Sequence, residues 1–470
     1  MVKKKQKTTF AVFFGNRGFF PASHQSSARK EMVSVLKKLG HKTLVLDAKA
    51  TRYGAVETPE EGRIFAEFLR ENRGKYGGVI LCLPNFGDET GAISALKDAG
   101  VPILIQAYPD DLDKMGPDLR RDAFCGKFSV MDVFVQYGLD FTILPPHVVH
   151  PADAEFARQV DYFDRLCRVV NGLKSMVVGA VGARTTAFKT VRIDELALQR
   201  HGITMETLDL SDIFARMNGL KKADPAMRKK ARTLKNYTSW AGVPDAAFEK
   251  LVRLGVVLDQ VQAEYGMDAM AVRCWIEMQQ QLGISPCVLL SEMNNRGTAS
   301  ACEVDVGNAV TMHALKLASG EVATCLDWNN NYGDEDDKCI LFHCGPVPQA
   351  MMTEKGQITD HAIIANAVGK GCGFGCNVGR IAPGPMTFGS MLTQEGRLSF
   401  YLGQGEFTDD PIPADFFGCA GVARIPELQH VLMAIGHWGH RHHVSVTPGD
   451  VAGPVWEAFE KYLGYEVKMV

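Results

Sequence analysis

Four of the chain's thirteen histidines lie within seven residues, in the segment GHWGHRHHVSV between Gly436 and Val446. Imidazole is a frequent ligand of transition metals in proteins, but a metal ion needs several ligands from different parts of a fold. We therefore expect one histidine of this segment to complete a metal site whose charged ligands lie elsewhere in the chain.

Two acidic residues, Glu303 and Asp305, stand two positions apart in the segment ACEVDVGNA, just before a predicted helix. On a strand, side chains at this spacing point to the same face, and the amino end of a helix stabilises negative charge. Glu303 is thus a candidate metal ligand and proton-transfer group. The alternative is that Asp305 caps the helix and Glu303 is a solvated residue at a strand end.

Two more candidates, Asp327 in TCLDWNN and His343 in ILFHCGP, lie in apolar strands. A buried carboxylate is costly unless it is paired or bound to a cation, whereas a single histidine in a strand is usually a hydrogen-bonded core residue. A hairpin centred on Glu335 would place Asp327 directly opposite His343, with Cβ atoms about 5 Å apart. A shift of one residue would turn the two side chains to opposite faces.

A set made of Glu303, Asp327, His343 and one histidine of the C-terminal segment contains only oxygen and nitrogen ligands. Such a set suits Mn²⁺, or another divalent ion such as Mg²⁺ or Co²⁺. A divalent ion chelated by two adjacent sugar oxygens polarises a carbonyl, and two nearby carboxylates move protons between C1 and C2 through an enediol. The predicted function is therefore aldose–ketose isomerisation.

The elements that must position these residues follow from the hydrophobic pattern. The first third alternates strands and helices, which predicts a parallel sheet covered on both faces, and a second α/β part begins at SMVVGAVGART. After Cys302 and one more helix, β segments separated by Gly, Pro and Asn predict an antiparallel part. The predicted fold class is α/β, with α/β domains over residues 1–170 and 171–318 and a β-rich C-terminal domain over residues 319–470.

Composition excludes several classes of partner. With 46% hydrophobic and 22% charged residues and a net charge of −3, the chain is of ordinary globular type and has no basic field for nucleic acid. No apolar stretch reaches the length of a membrane span, and the run after the basic head MVKKKQK is too short for a signal peptide. The scattered cysteines indicate buried thiols in a reducing compartment, so we expect a cytoplasmic protein.

Several segments resemble the L-fucose isomerase / L-arabinose isomerase family of metal-dependent sugar isomerases. They are ACEVDVGNAVTM, LDWN with ILFHCGP, HHVSV, and near the amino end NRGFFPASH and NFGDET. The resemblance implies two Rossmann-like α/β domains followed by a β-rich domain, with the metal site between the second and third. It also implies a trimer or hexamer in which the pocket is completed by an adjacent subunit.

The resemblance also implies roles for individual residues. Glu303 and Asp327 are the metal ligands that also form the acid–base pair, and His343 and His443 are the remaining metal ligands. His442 is the alternative to His443 and otherwise a substrate contact. The remaining substrate-binding residues come from the first-domain loops and are Arg17, Asn85 and Phe86, with Arg17 reaching the substrate of a neighbouring subunit.

The identity of the sugar stays open at this point. Asp327 matches fucose isomerases, whereas His343 matches arabinose isomerases, so the substrate is a pentose, a 6-deoxyhexose or a 6-substituted hexose such as sulfoquinovose. Two other classes of function compete with isomerisation. One is a non-catalytic sugar-binding or regulatory protein, and the other is a metal-dependent sugar lyase or epimerase.

Overall fold

A computed structural model describes residues 7–470, so the basic head at residues 1–6 lies outside the described residues. Within the described part, the chain divides into two compact units, and the division falls between Asn171 and Gly172. The second unit contains both the second α/β part and the β-rich part. The division into three domains therefore remains a prediction.

The N-terminal unit is built on a parallel sheet. Its strands are β1 (Phe10–Phe14), β2 (Thr43–Val45), β3 (Gly78–Leu83) and β4 (Ile103–Ala107), and its helices are α1 (Ala22–Lys38), α2 (Pro59–Glu71), α3 (Glu89–Leu96), α4 (Ala123–Gln136) and α5 (Ala154–Leu173). The strand order is β2–β1–β3–β4. Strands β1, β3 and β4 are buried throughout, as expected of continuous apolar runs in a sheet covered on both faces.

The second unit begins with another parallel sheet, whose order β6–β5–β7–β8 repeats that of the first. Its strands are β5 (Val177–Val181), β6 (Thr204–Leu208), β7 (Ala269–Val272) and β8 (Ala299–Cys302). Its helices are α6 (Glu195–Arg200), α7 (Leu210–Gly219), α8 (Pro225–Tyr237), α9 (Asp245–Glu264), α10 (Glu277–Leu282), α11 (Cys287–Asn295) and α12 (Val306–Ser319). The predicted α/β class with parallel sheets is confirmed.

The C-terminal part is rich in β structure, as predicted. Its strands are β9 (Thr324–Asn331), β10 (Lys338–His343), β11 (Gln357–Thr359), β12 (Cys376–Arg380), β13 (Gly384–Gln394), β14 (Arg397–Phe407), β15 (Cys419–Arg424), β16 (His443–Pro448) and β17 (Glu466–Met469). Its helices are α13 (Ala365–Val368), α14 (Leu428–His437) and α15 (Ala452–Glu457). Strands β15, β10, β9, β16, β13 and β14 form a closed ring, because β14 also pairs with β15.

Helix α12 joins the two halves of this unit. It packs on β7 and β8 of the parallel sheet and on β13 and β16 of the β-rich sheet. The start of α12 and the start of β16 therefore lie close together. The glycine-rich segment GCGFGCNVGR contributes strand β12. No helix among residues 7–470 is both long and apolar enough to cross a membrane.

Candidate active site

Glu303 lies at a sharp turn directly after β8. Glu303 and Val304 both adopt left-handed backbone angles, with φ of 62° and 59°, which is rare for a β-branched residue such as Val304. The turn leads into Asp305, which caps α12 by accepting a hydrogen bond from the Asn308 backbone N–H at 3.0 Å. Asp305 is thus a helix cap, but Glu303 is not a solvated strand end, since its side chain is only 15% exposed.

Asp327 lies on β9, between the two strands that carry the candidate histidines. The expected register to β10 holds at Asn331, opposite Cys339, but an extra residue at Asn329 shifts it. Asp327 therefore faces Phe342, and the prediction that it lies directly opposite His343 was wrong by one residue. Its partner on the other neighbouring strand is His443, the first residue of β16.

The four predicted metal ligands come together around one cavity and its wall. Glu303, Asp327 and His343 line a cavity of about 320 Å³. His443 Nε2 lies 2.7 Å from Glu303 Oε2 and 3.3 Å from Asp327 Oδ1. Ligand atoms of Glu303, His343 and His443 all lie within 4.8 Å of one another.

Two of these ligand atoms, Asp327 Oδ1 and His343 Nε2, are buried without a hydrogen-bond partner among the described residues. The third, His443 Nε2, pairs with Glu303 Oε2 at 2.7 Å. Buried polar atoms are normally satisfied, and each unsatisfied atom costs about 1–3 kcal/mol. A cation bound among these ligand atoms would satisfy the two unpaired ones, so the residues present fit a divalent metal ion.

His443 is held in a defined orientation by a residue whose second role the sequence did not reveal. His443 Nδ1 donates a hydrogen bond to Asp305 Oδ2 at 2.8 Å, and Asp305 also forms a buried ion pair with Arg441. A carboxylate on one ring nitrogen fixes the tautomer and presents the other nitrogen to a metal. The only hint in the sequence was that Asp305 lies two residues after Glu303, the spacing that places strand side chains on one face.

Trp275 is a second functional residue that the sequence did not indicate. Its indole Nε1 donates a hydrogen bond to Glu303 Oε1 at 2.7 Å, and Trp275 also lines the cavity. The contact fixes one carboxylate oxygen of Glu303 and leaves the other facing His443. Nothing in the segment around Trp275 signalled this contact, because it spans two strand ends that meet only in the fold.

The electrostatics separate the two candidate acid–base residues. Burial by itself would raise the pKa of Glu303, but the neighbouring imidazole of His443 holds it below the ordinary value. Burial does raise the pKa of Asp327 above the ordinary value. Burial would lower the pKa of His443, yet Asp305 and Glu303 raise it well above the ordinary value. A proton on His443 thus balances the carboxylates in the protein alone, and a bound cation would take over that role.

The other histidines of the C-terminal segment lie differently. The side chain of His442 is 43% exposed, with Nε2 3.7 Å from Asp327 Oδ1. His437 is exposed at the end of α14, and His440 packs edge-on against Tyr401 with ring centroids 4.8 Å apart. Neither His437 nor His440 is among the residues that line the cavity.

The predicted substrate-binding residues of the N-terminal unit lie together in the loops after β1 and β3. The Arg17 guanidinium lies 4.7 Å from the centre of the Phe86 ring and pairs with Glu89. Asn85 is fully buried, accepts a hydrogen bond from the Arg17 backbone N–H and donates one to Asn16 Oδ1 at 2.7 Å. The side chain of Asn85 therefore holds the two loops together.

Comparison with known proteins places the chain in a family. Residues 11–174 match the N-terminal domain model of fucose/sulfoquinovose isomerases, and residues 341–470 match the C-terminal domain model of L-fucose isomerase. The chain belongs to the fucose/sulfoquinovose isomerase family. The two matches cover more than half of the chain and include His343, His443 and the Arg17 loop.

Curated relatives of this fucose/sulfoquinovose isomerase family member are named sulfoquinovose isomerase. The chain is 22% identical to the protein of Alkalicoccus urumqiensis over 393 residues, which is 83% of this chain and 85% of the relative. It is 21% identical to that of Priestia aryabhattai over 84% of this chain and 86% of the relative. The predictions of an enzyme and of aldose–ketose isomerisation are confirmed, which sets aside the binding-protein and lyase or epimerase alternatives.

Proposed function

We propose that this isomerase is metal-dependent and that it interconverts sulfoquinovose, or a closely related 6-substituted aldose, with its ketose. The observation that carries the metal is the convergence of carboxylate and imidazole ligand atoms from Glu303, Asp327, His343 and His443. Two of them, Asp327 Oδ1 and His343 Nε2, are buried and have no hydrogen-bond partner among the described residues. The substrate is proposed from the names of the relatives.

The ion would be held by the side chains of Glu303, Asp327, His343 and His443. Oxygen and imidazole nitrogen ligands without thiolate favour Mn²⁺, with Mg²⁺ or Co²⁺ as alternatives. When bound, such an ion would polarise the sugar carbonyl and acidify the adjacent hydroxyl. We assign His443 rather than His442 as the ligand, because His443 is fully buried between both carboxylates.

His343 must present a lone pair on Nε2 to act as a ligand. Its ring proton would then lie on Nδ1, so the hydrogen bond that Nδ1 accepts from the Cys344 backbone N–H at 2.9 Å would have to be exchanged for one to the Cys344 sulfur at 3.2 Å. The sulfur of Cys344 thus has the position that a carbonyl or carboxylate has beside many metal-binding histidines. Asp305 orients His443 in the same way, because it accepts the hydrogen bond from His443 Nδ1.

Glu303 and Asp327 both line the cavity, where a sugar would lie against the two carboxylates. Two carboxylates so placed can divide the proton transfers between a base and an acid. Glu303 takes the proton from C2 and returns it to C1, whereas Asp327 gives a proton to the carbonyl oxygen at C1 and takes one from the hydroxyl at C2. Protons balance over the cycle, which passes through an enediol.

A sulfonated substrate also needs a positive group. The described residues that line the cavity include no lysine or arginine. We propose that Arg17 and Phe86 of a neighbouring copy supply that contact in a homo-oligomer, a trimer or hexamer, while Asn85 holds their loops. All twelve cysteines are free thiols, which supports the proposed cytoplasmic location.

The test is turnover of a sugar panel by purified protein with Mn²⁺, after EDTA, and after metal is restored. We expect ketose from sulfoquinovose, loss of activity with EDTA, and no activity in Glu303→Gln or Asp327→Asn. Glu395→Gln, a substitution in an exposed turn, is the matched control and should keep full activity. Activity that survives both EDTA and Glu303→Gln would refute the mechanism, and turnover of L-fucose or L-arabinose alone would refute only the substrate.

A further inference from the structure

A cluster of buried thiols lies against the carboxylate–imidazole site. The thiol cluster consists of Cys287, Cys302 and Cys344, whose sulfur atoms all lie within 4.8 Å of one another. The sulfurs of Cys287 and Cys344 are 3.2 Å apart. All three residues are buried, with exposed fractions of 1%, 0% and 8% in that order.

The cluster contains donors of a single kind. Two further thiols neighbour it, Cys376 beside Cys287 and Cys344 and Cys274 beside Cys302, and His343 Nδ1 lies 3.2 Å from the Cys344 sulfur. A metal–thiolate bond is about 2.3 Å long, so two sulfurs on one ion lie about 4 Å apart. The upper limit of 4.8 Å on the sulfur separations allows this arrangement, with the sulfurs of Cys287 and Cys344 moving apart from 3.2 Å when an ion binds.

We propose that Cys287, Cys302 and Cys344 form a second metal site, which takes a soft, thiophilic cation such as Cu⁺ or Cd²⁺. Sulfur ligands select soft cations, whereas carboxylate oxygens select hard ones such as Mn²⁺ and Mg²⁺. The two neighbouring sites therefore differ in hardness and bind different classes of ion. The cation reaches the thiols through the sugar cavity, because Cys287 and Cys344 line it.

The thiol cluster and the carboxylate–imidazole site share two stretches of backbone. Cys302 directly precedes Glu303, and His343 directly precedes Cys344. The Cys344 sulfur also lies 3.2 Å from His343 Nδ1. A cation on the thiol cluster draws the Cys344 sulfur away from His343 and displaces Cys344, whose backbone N–H also holds the ring through a hydrogen bond to Nδ1 at 2.9 Å.

Occupation of the thiol cluster should therefore inhibit the isomerase. This consequence rests on the proposed function, whereas cation binding by the thiols does not. Loss of a group that orients a metal-binding histidine typically costs about 10- to 100-fold in metal affinity or activity. Inhibition on this scale is expected when activity is assayed with Mn²⁺ near its dissociation constant, because a large excess of Mn²⁺ would offset a loss of affinity.

The experiment uses Cd²⁺ as the probe, on full-length protein kept reduced and saturated with Mn²⁺. Cys125 and Cys372, the two thiols that reach solvent, are first replaced by serine to remove surface binding. Cd²⁺ is titrated in without sugar, and the ultraviolet charge-transfer band of cadmium–thiolate bonds is followed, since oxygen and imidazole ligands give no such band. We expect saturation at about one Cd²⁺ per chain, because one set of three sulfurs holds one ion.

Cys287→Ser and Cys344→Ser should each weaken the band, whereas Cys167→Ser, a buried thiol of the N-terminal unit, should leave it unchanged. Near-ultraviolet circular dichroism checks that each variant is folded. The test needs only one of the two cluster variants, Cys287→Ser or Cys344→Ser, to be folded. Absence of the band, or an equal band in the cluster variants, would overturn the proposal whether or not the protein is an isomerase. A full band without loss of isomerase activity at Mn²⁺ near its dissociation constant would overturn the inhibitory role.

Discussion

Replacing Asp305 with asparagine tests how the site is positioned. The Asp305 carboxylate is fully buried, accepts a hydrogen bond from His443 Nδ1 and pairs with Arg441, whose side chain is 3% exposed. An asparagine at this position keeps the shape of the side chain and removes its charge. The change should therefore affect both folding stability and metal affinity, for two separable reasons.

The two magnitudes follow from the contacts. Removing one partner of a buried ion pair leaves the other charge uncompensated and costs about 3–5 kcal/mol in the free energy of unfolding. Loss of the carboxylate behind a metal-binding histidine should weaken Mn²⁺ binding about 10- to 100-fold. That loss of affinity equals about 1.4–2.7 kcal/mol.

A double variant separates the two effects. Arg441→Met removes the uncompensated charge, so Asp305→Asn combined with Arg441→Met should recover most of the stability but not the Mn²⁺ affinity. Stability is measured by urea unfolding with EDTA present, and affinity by titration of the folded apoprotein with Mn²⁺. Wild-type Mn²⁺ affinity in folded Asp305→Asn, or its full recovery in the double variant, would refute the positioning role of Asp305.

Three further predictions concern other contacts. Burial lowers the pKa of His440 from 6.5 to about 3. Below pH 6.5 the unfolded chain therefore binds a proton at this residue and the folded protein does not, so the free energy of unfolding should fall by about 2 kcal/mol between pH 6.5 and pH 5. Urea unfolding of His440→Phe should show a pH dependence that is smaller by this amount, and equal slopes would contradict the assignment. Trp275→Phe removes a hydrogen bond to the charged Glu303 that is worth about 1.5–3 kcal/mol. We therefore expect kcat to fall about tenfold or more, and an unchanged kcat would show that the contact is dispensable. Asn85→Ala leaves buried partners unsatisfied and should cost about 1–3 kcal/mol of unfolding free energy. Arg17→Ala should instead lower sugar turnover with little loss of stability. The reverse pattern would show that Arg17 has the structural role and Asn85 the substrate-binding role.

The sequence was sufficient to predict where the site residues lie along the chain. Apolar runs identified β9 and β10, which carry Asp327 in the interior of the first and His343 at the end of the second, and the segment before α12 carries Glu303. The register between β9 and β10 could not be predicted, because it depends on one extra residue at Asn329, and a bulge has no reliable signature among three consecutive asparagines.

Long-range pairing set the rest of the arrangement. The segment that begins at His443 is a strand between β9 and β13, although it follows a histidine-rich stretch with no clear alternation. Its pairing with β9 makes His443 the partner of Asp327. The contact of His443 with Asp305 depends on α12 packing against β16, which local sequence patterns do not report.

The position of His443 at the start of β16 has a consequence for the maturation of the enzyme. Strand β16 fills the gap between β9 and β13 in the closed ring and follows β8, β9 and β10 in the chain. Because synthesis proceeds from the amino terminus, the other three proposed ligands would form an incomplete, weak site until this strand is in place. Binding of the proposed ion would then be coupled to closure of the ring, since metal binding and folding are linked.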